Sequence, residues 1–484
     1  MTGLLPDISD SVVAFIRIAY GVLLTATIVG MLPQARRFFL SERWGGYAES
    51  SRAVDAVQNP IVMPVALAAW LLSAVLLVVG QWTVAAALVN LVLARYFGIF
   101  MRWRGALRGM GAPGFMTYWL AIAVFLLELT THHAPSLRPL ALFGLQIDLG
   151  LIFLAAALYK IRSGYLQNNG MEFGLTNPQW GYWWRWYQRL PPNHTIYRIL
   201  NLLAWTTELA AAVAILLPPT RFLGGLILIG TFAFIATQIR LSLLCEMVML
   251  SGVLFFAPDT IGGRLIESIL PVASVGSAAA LPASAIQAAG VLIVAYIALL
   301  PFAYGGLVTN FYLRRRLPAP WQHLLEAYTN FFGIILWRVF SADLVNFLIE
   351  INLQPKTGGA RAIISDYKNA LFHRFAHVCE MIAITSIFTT LKYYPSNSAL
   401  FQDRLLRYAR TLPRSTTDHL VFEYLAIRKE AGAFAFVAVA EFIVDPDSGV
   451  VVERPLDSRA SVRSASEHSP VHEGVRPGSY APPV

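Results

Sequence analysis

The sequence contains little charge and almost no cysteine, and both scarcities limit what the protein can be. Only 13% of the 484 residues are charged and 56% are hydrophobic, whereas soluble domains carry about a quarter charged residues. This composition indicates an integral membrane protein. The two cysteines, Cys245 and Cys379, exclude a disulfide framework and a Cys-x-x-Cys redox or zinc motif.

The formal net charge of +9 does not come from a patch of the nucleic-acid-binding kind. Such a patch clusters basic side chains with interleaved aromatic residues, whereas most arginines here flank apolar runs. Arginines in that position set the orientation of membrane helices. We therefore expect the lipid bilayer as a partner and no nucleic acid.

Long apolar runs fill the first two thirds of the chain. A helix needs roughly 20 apolar residues to cross the hydrocarbon core of a bilayer. The predicted fold is therefore an all-α polytopic membrane bundle of about nine transmembrane helices, in a domain at 10–312. The runs are 12–32, 61–79, 83–101, 115–131, 141–160, 197–217, 222–239, 241–257 and 286–309.

The composition changes after residue 310, where an arginine triplet and two prolines end the apolar region. The pattern that follows predicts a small soluble α+β domain at 318–455, and the polar tail at 456–484 is predicted to be disordered. The predicted elements are a strand at 346–353, a helix at 369–391, strands at 420–430 and 435–445, and a hairpin turn at 445–449.

The loop arginines also predict how the chain crosses the membrane. Counted along the chain, the odd connections carry nearly all of them, and the even connections carry only Arg138, Arg221 and Arg264. Because cytoplasmic loops are enriched in Lys and Arg, the amino terminus is expected outside and the C-terminal domain in the cytoplasm. The expected location is a cell membrane.

A few polar residues lie inside the apolar runs. A charge at the centre of a membrane helix costs roughly 2.5 to 3.5 kcal/mol on insertion scales, so such residues usually face the bundle interior and find partners. We predict a buried polar network that contains Arg17, Asp148, Glu208 and Gln238.

Lys160 ends the fifth run and begins the segment KIRSGYLQNNGMEF. A lysine at the end of a membrane helix often extends to the lipid headgroups as an anchor. A lysine that is desolvated beside apolar residues can instead lose its proton and act as a base. The residues alone leave both interpretations open.

Histidines form two further candidate sites. His132 and His133 follow the fourth run, where they are either a solvated loop feature or an acid/base group. His373, His377 and Glu380 share one helical face at metal-ligand spacing. The Glu that follows the first His of a zinc protease is absent, so we expect that face to be structural and no metal to be bound.

Three stretches resemble parts of a known family. They are VVAFIRIAYGVL in the first run, AALYKIRSGYLQNNGMEF at 156–173 and GTFAFIATQIRLSLLCEMVMLSGVLFFAP at 230–258. Together they resemble the membrane domain of the vitamin K-dependent γ-carboxylases, whose bacterial relatives are called horizontally transferred transmembrane (HTTM) proteins. The lysine segment and Arg17 with Gly21 are the specific parts of this resemblance.

The resemblance implies a carboxylase-like lyase and monooxygenase of a bacterial plasma membrane. Lys160 would be the base set in motion by oxygenation of a reduced vitamin K-type quinone such as menaquinone, and His132 would stand at or near a functional histidine. The substrate, an unknown peptide or small molecule, is not implied. A further histidine of the family would fall near Ala233, so this chain departs from the family pattern at that position.

Two points of the resemblance leave alternatives open. The long luminal substrate-binding region of the family is much reduced here, so a non-catalytic maturation, export or assembly partner on the same scaffold is the alternative function. The family also implies a C-terminal domain on the luminal side, whereas the arginines of this chain favour the cytoplasm.

Overall fold

The structure, a computed structural model, combines a helical bundle with a C-terminal sheet. It describes residues 5–48, 55–100, 114–272, 280–337, 345–365, 374–430, 432–456 and 462–463. The helices up to residue 332 are α1 Asp10–Met31, α2 Ala35–Phe39, α3 Val62–Val79, α4 Thr83–Arg95, α5 Phe115–His133, α6 Arg138–Arg162, α7 Met171–Thr176, α8 Trp184–Tyr187, α9 Thr195–Leu216, α10 Arg221–Gln238, α11 Leu244–Gly252, α12 Ile261–Ile269, α13 Ala283–Leu313 and α14 Ala319–Phe332.

Seven of the described helical segments are long and apolar enough to cross a membrane, and this number corrects the expected nine. The runs at 83–101 and 241–257 form shorter helical segments, Thr83–Ile99 and Leu244–Phe255. The second spans about 18 Å at 1.5 Å per residue, well below the roughly 30 Å of a hydrocarbon core. Its run is shortened because Ser242, with φ of 57°, interrupts the helix.

Helices of the bundle approach each other closely at positions occupied by glycine, which has no side chain. A Cβ atom at Gly21 in α1 would lie 2.8 Å from the carbonyl oxygen of Ala74 in α3. Gly225 in α10 and Gly252 in α11 face each other in the same way, since a Cβ at Gly225 would lie 2.6 Å from the Gly252 oxygen. Small residues at helix contacts are typical of membrane bundles.

The strands of the C-terminal region are β1 Phe347–Pro355, β2 Ala362–Ile363, β3 Asp418–Glu430, β4 Ala433–Asp445, β5 Val450–Pro455 and β6 Val462–Arg463. They form an antiparallel sheet in the order β2-β1-β3-β4-β5, with β6 paired to β4. Two helices cover one face, where Phe388 packs against Phe442 at 5.5 Å between ring centroids. These helices are α15 Arg374–Tyr393 and α16 Ser398–Arg410.

The sheet is attached to the connection between α6 and α9. Asn177 donates two hydrogen bonds of 2.8 Å from its amide nitrogen, one to the carbonyl of Val345 and one to that of Phe347. The Gln179 amide reaches the Ile349 carbonyl at 3.4 Å. These side chains cover the part of the β1 edge that β2 does not pair with, and a covered edge is protected from pairing with other chains.

The connection after α1 holds the other side of the C-terminal region. Arg37 binds both carboxylate oxygens of Glu380 in α15, at 2.8 and 3.0 Å, and the Tyr408 hydroxyl donates to the same carboxylate. Arg410 pairs with Glu42 at 3.0 Å. The sheet therefore lies at the end of the bundle where α1 and α6 finish and α9 begins, which we call the sheet end.

Several predicted elements of the C-terminal region appear where the pattern placed them. The strand at 346–353 is β1, the strands at 420–430 and 435–445 are β3 and β4, and a turn follows Asp445. The predicted helix at 369–391 is described from Arg374 onward, as α15. Of the predicted disordered tail, 456 and the two residues of β6 are described, and the rest lies outside the described residues.

Candidate functional site

Lys160 and Glu208 form a buried ion pair in the interior of the bundle. The Lys160 ammonium lies 2.5 Å from Glu208 Oε1 and 3.2 Å from the carbonyl oxygen of Ala204, to which it also donates. The two side chains are 4% and 3% exposed. The ammonium thus points across to α9 and not along the bundle surface, as a headgroup anchor would.

The close packing of α6 against α9 explains why Lys160 is enclosed. α6 and α9 run antiparallel in close contact, with Gly150 of α6 against the side chain of Leu216. Lys160 therefore faces the middle of α9, and about two and a half turns of α9 precede Ala204. The Tyr165 ring also contacts the ammonium, with a distance of 5.8 Å between Lys160 Nζ and the ring centroid.

One oxygen of this pair is unsatisfied. Glu208 Oε2 is buried and has no hydrogen-bond partner among the described residues. Buried polar atoms are nearly always paired, so an orphaned acceptor next to an ion pair calls for an explanation. A carboxylate oxygen in that state can take up a proton or accept a hydrogen bond from a bound molecule.

The asparagine loop after Lys160 forms a second buried site around Glu172. Glu172 accepts from the Asn201 amide of α9 at 2.7 Å and from the Lys429 ammonium of β3 at 2.5 Å. Lys429 also reaches Asn168 O and Asn169 Oδ1, at 2.5 and 2.8 Å. The loop therefore connects the sheet to the helix that carries Glu208.

Asp148 occupies the centre of α6 among neutral donors. The Trp119 indole donates to its Oδ2 at 2.7 Å and the Tyr304 hydroxyl to its Oδ1 at 2.9 Å. Its side chain is buried. These contacts join α5, α6 and α13, which indicates that Asp148 fixes three helices relative to one another.

Arg17 and His132 meet at the end of the bundle opposite the sheet. Both bind Glu128, with 3.3 Å from Arg17 Nε to Oε1 and 3.4 Å from His132 Nε2 to Oε2. Thr83 Oγ1 lies 3.4 Å from the same imidazole nitrogen. Arg17 also donates to the Leu77 carbonyl. This is a four-residue polar cluster at the ends of α3, α4 and α5.

The predicted site residues are thus distributed over separate places. His132 adjoins the start of α6, whereas Lys160 lies at its other end, about 33 Å away at 1.5 Å per residue. Arg17, Asp148 and Glu208 each have different partners, and Gln238 accepts from the Tyr187 hydroxyl at 2.9 Å near the sheet end. The structure brings Arg17 together with His132, and Lys160 together with Glu208. It keeps Asp148 and Gln238 apart from both pairs.

The predicted metal-ligand face is described only in part. His373 lies outside the described residues, and of His377 only the backbone in α15 is described. Glu380 uses both carboxylate oxygens on Arg37, as given above. Within the described part of the chain, no group of three or more His, Cys, Asp or Glu side chains is arranged to hold a metal ion.

Sequence reasoning missed Glu128, Glu172 and Lys429. Glu128 stands four residues before His132, a spacing that places both on one helical face, so a search for partners of His132 could have found it. Lys429 contacts Glu172 across more than 250 residues of sequence, and nothing local signals that pairing. Comparison with family models, with curated proteins and with solved structures finds no match for this chain.

Proposed function

We propose that the chain is a multi-pass protein of a cell membrane in which Lys160 and Glu208 form a proton-transfer centre. The membrane assignment is supported by the seven long apolar helices and by the low charge content. The single observation that carries the proton-transfer role is the buried 2.5 Å contact of Lys160 with Glu208, beside an orphaned carboxylate oxygen. Ionisable residues in membrane helices are usually functional.

The geometry supports the following chemistry. A proton that moves from the Lys160 ammonium to Glu208 leaves a neutral amine and a neutral carboxylic acid, with no change in net charge. Burial favours this neutral pair over two separated charges. The free amine can then take a proton from a substrate carbon or heteroatom, and the acid can return one. The proposed reaction class is proton abstraction of the carboxylase-like kind that the resemblance implies.

The described contacts of the Lys160 ammonium offer no support for a bound quinone. Glu208, the Ala204 carbonyl and the Tyr165 ring surround the ammonium. The groove that the structure describes at the sheet end does not have Lys160 in its wall. The reduced quinone stays a prediction of the resemblance, and no step proposed for Lys160 depends on it.

Two variants separate proton transfer from a structural role. Lys160→Arg keeps the charge and the ion pair but cannot release a proton, since guanidinium stays charged at any accessible pH. The double variant Lys160→Met with Glu208→Leu removes both charges together, and replacing a buried ion pair by apolar residues is often neutral or stabilising. A proton-transfer centre predicts that both variants insert normally and that neither restores function.

The experiment is rescue of a strain that lacks the protein, with expression and thermal unfolding measured for every variant. Rescue by the double apolar variant would show that the pair only supports the fold, and would favour the non-catalytic maturation or assembly partner. Infrared spectra give an independent readout. A carboxylic acid band that is lost in Glu208→Gln, and retained in Asp148→Asn, is expected if Glu208 takes the proton.

A further inference from the structure

A short loop covers the Lys160 ammonium at the sheet end. It comprises residues 164–169, follows α6 and precedes α7, and we call it the Tyr165 loop. The Tyr165 side chain is 1% exposed and its ring contacts Lys160 Nζ. Leu166 and Asn169 of the same loop are exposed. The inner side of the loop therefore lies against the ion pair, and its outer side lies at the surface of the molecule.

The Tyr165 loop has its own internal hydrogen bonds. The amides of Gln167 and Asn169 both donate to the Gly164 carbonyl at 3.0 Å, and the Asn168 amide donates to the Tyr165 carbonyl at 3.2 Å. Gly164 and Asn168 have backbone angles in the left-handed region, with φ of 110° and 55°. Glycine and asparagine adopt that region more readily than other residues. The loop can therefore turn as one unit about its ends without losing these bonds.

Both ends of the loop are fixed to the bundle. Before the loop, the Ser163 amide donates to an α6 carbonyl at 3.0 Å. After the loop, the Met171 amide donates to Asn201 Oδ1 of α9 at 2.9 Å, and the Gly170 amide donates to Glu172 Oε2 at 3.1 Å. A movement is therefore confined to the Tyr165 loop itself.

Lys429 of β3 holds this loop in place. Its ammonium donates to the Asn168 carbonyl at 2.5 Å and to Asn169 Oδ1 at 2.8 Å, both on the loop. It also donates to Glu172 Oε1 at 2.5 Å, on the fixed side. The Glu172 side chain is fully buried, and the Lys429 side chain is 26% exposed. One cation of the sheet thus ties the loop to its anchor through charge-assisted hydrogen bonds.

We propose that the Tyr165 loop is a lid over the Lys160–Glu208 pair, that Lys429 is its latch, and that a water-soluble substrate enters past Tyr165 from the sheet end. A closed lid keeps water away from the pair. Loops that open and close over a reactive group control substrate entry in many enzymes. This inference rests on the proton-transfer role proposed above, and it adds the side from which the substrate arrives.

Acylation of Lys160 tests the lid because the reagent must reach the amine. The sequence contains five lysines, and Lys160 is the only one before residue 350. Purified protein in detergent is treated with a charged, water-soluble acetate ester of N-hydroxysuccinimide, and peptide mass spectrometry follows each lysine. Lys160 should react slowly in the wild type. In Lys429→Met its rate should rise by at least about tenfold, which corresponds to the loss of one hydrogen bond of a charged group.

Two variants supply the matched comparison for the latch, and thermal unfolding shows that each one folds. Lys392→Met removes another lysine of the C-terminal region, whose amine donates to Asn346 Oδ1 at 2.8 Å, and should leave the Lys160 rate near that of the wild type. Lys429→Met with Glu172→Gln avoids a buried carboxylate without its cation and should match Lys429→Met. Equal acceleration in Lys392→Met and Lys429→Met would overturn the latch, because general loosening would then explain both.

Two variants of the covering ring test the lid while the latch stays intact. Tyr165→Ala should expose Lys160 to the charged ester, whereas Tyr165→Phe keeps the ring and should protect the amine. An unchanged rate in both Tyr165→Ala and Lys429→Met would overturn the lid. In lipid nanodiscs, an uncharged lipophilic ester that labels Lys160 equally fast in the wild type and in Lys429→Met would show entry from the bilayer and would overturn the proposed route.

Acylation does not depend on activity, so the lid and the proton-transfer centre can fail separately. Latch-dependent acylation, combined with rescue by the double variant Lys160→Met with Glu208→Leu, would support the lid and reject the proton-transfer centre. Acylation that does not respond to Lys429→Met or Tyr165→Ala, combined with no rescue by the double variant, would reject the lid alone.

Discussion

At the scale of single residues, the Lys160–Glu208 pair is costly to maintain. Taking two charges out of water costs several kcal/mol per ion, and the attraction between them repays this only with good geometry and full hydrogen bonding. Here one carboxylate oxygen has no partner among the described residues. A pair that only stabilised the fold would be better satisfied, so the arrangement favours a chemical role.

The C-terminal sheet carries an ion pair whose effect on stability depends on pH. Lys356 Nζ lies 3.0 Å from Asp445 Oδ2 and joins the end of β1 to the end of β4. The hydrogen bond from Lys356 lowers the pKa of the Asp445 carboxyl from 3.8 to about 2. Because the pKa is lower in the folded state, the stabilisation is complete above pH 3.8 and disappears as the pH falls towards 2.

We therefore predict that Lys356→Met reduces the acid sensitivity of this region. The variant should be less stable than the wild type above pH 4, and the two should converge near pH 2. Unfolding midpoints measured from pH 6 to pH 2 test this. The neighbouring pair of Arg414 with Asp447 is coupled to this one, because Arg414, and also Lys356, lower the pKa of the Asp447 carboxyl. Arg414→Met should therefore reduce the acid sensitivity in the same direction. A constant difference at all pH values would contradict the prediction.

How much of the site could be predicted from sequence depends on whether the partner is local. Arg17, Asp148, Glu208 and Lys160 were recognisable because a charge inside an apolar run is unusual. Which of these residues pair with each other, and which other side chains they contact, could not be predicted in the same way, because a run of apolar residues does not show which helices touch. A single polar network was expected, and the structure instead separates Arg17, Asp148 and Glu208 among different helix pairs.

At the scale of elements, hydropathy predicted the long helices well and the short ones badly. Composition does not detect a break such as the positive φ of Ser242, which limits the run at 241–257 to a short helix. In the C-terminal region the strands could be recognised from their β-branched and aromatic residues. α16 was missed although Asn397 accepts from the Leu400 amide as its N-cap, because its polar face masks the apolar one.

The crossing of α1 and α3 gives a prediction at this scale. Gly21→Ala should destabilise the bundle by about 1 to 3 kcal/mol, because the added methyl meets the Ala74 carbonyl and Val78 Cγ2, each at 2.8 Å. Forcing the helices apart also moves the Leu77 carbonyl away from Arg17. Thermal unfolding of the purified protein in detergent measures the effect.

Gly230 in α10 provides the matched control for this prediction. A Cβ there would have no neighbour within 4 Å, so Gly230→Ala adds the same methyl to a helix without a clash. We expect it to be neutral or to stabilise by up to about 1 kcal/mol, since glycine is a poor helix former. If Gly21→Ala behaved like Gly230→Ala, the close crossing of α1 and α3 would be wrong.

At the scale of the whole molecule, the two ends of the bundle differ in what they carry. The sheet end has the connections with most of the loop arginines and the contacts of Arg37, Asn177 and Lys429 with the C-terminal region. The opposite end has the cluster of Arg17, Glu128 and His132. The positive-inside rule favours a cytoplasmic sheet end, and the γ-carboxylase resemblance implies the reverse.

Cysteine labelling decides between these orientations. Ser448 lies exposed in the β4–β5 turn and Ser136 lies exposed between α5 and α6, at opposite ends of the bundle. With Cys379→Ser as background, and Cys245 buried, Ser136→Cys and Ser448→Cys each add one accessible thiol. A membrane-impermeant maleimide applied to intact cells should label position 136 at once and position 448 only after lysis. Both sites are on the surface, so neither substitution should disturb packing. Labelling in the opposite order would place the sheet outside, and the loop arginines would then have given the wrong orientation.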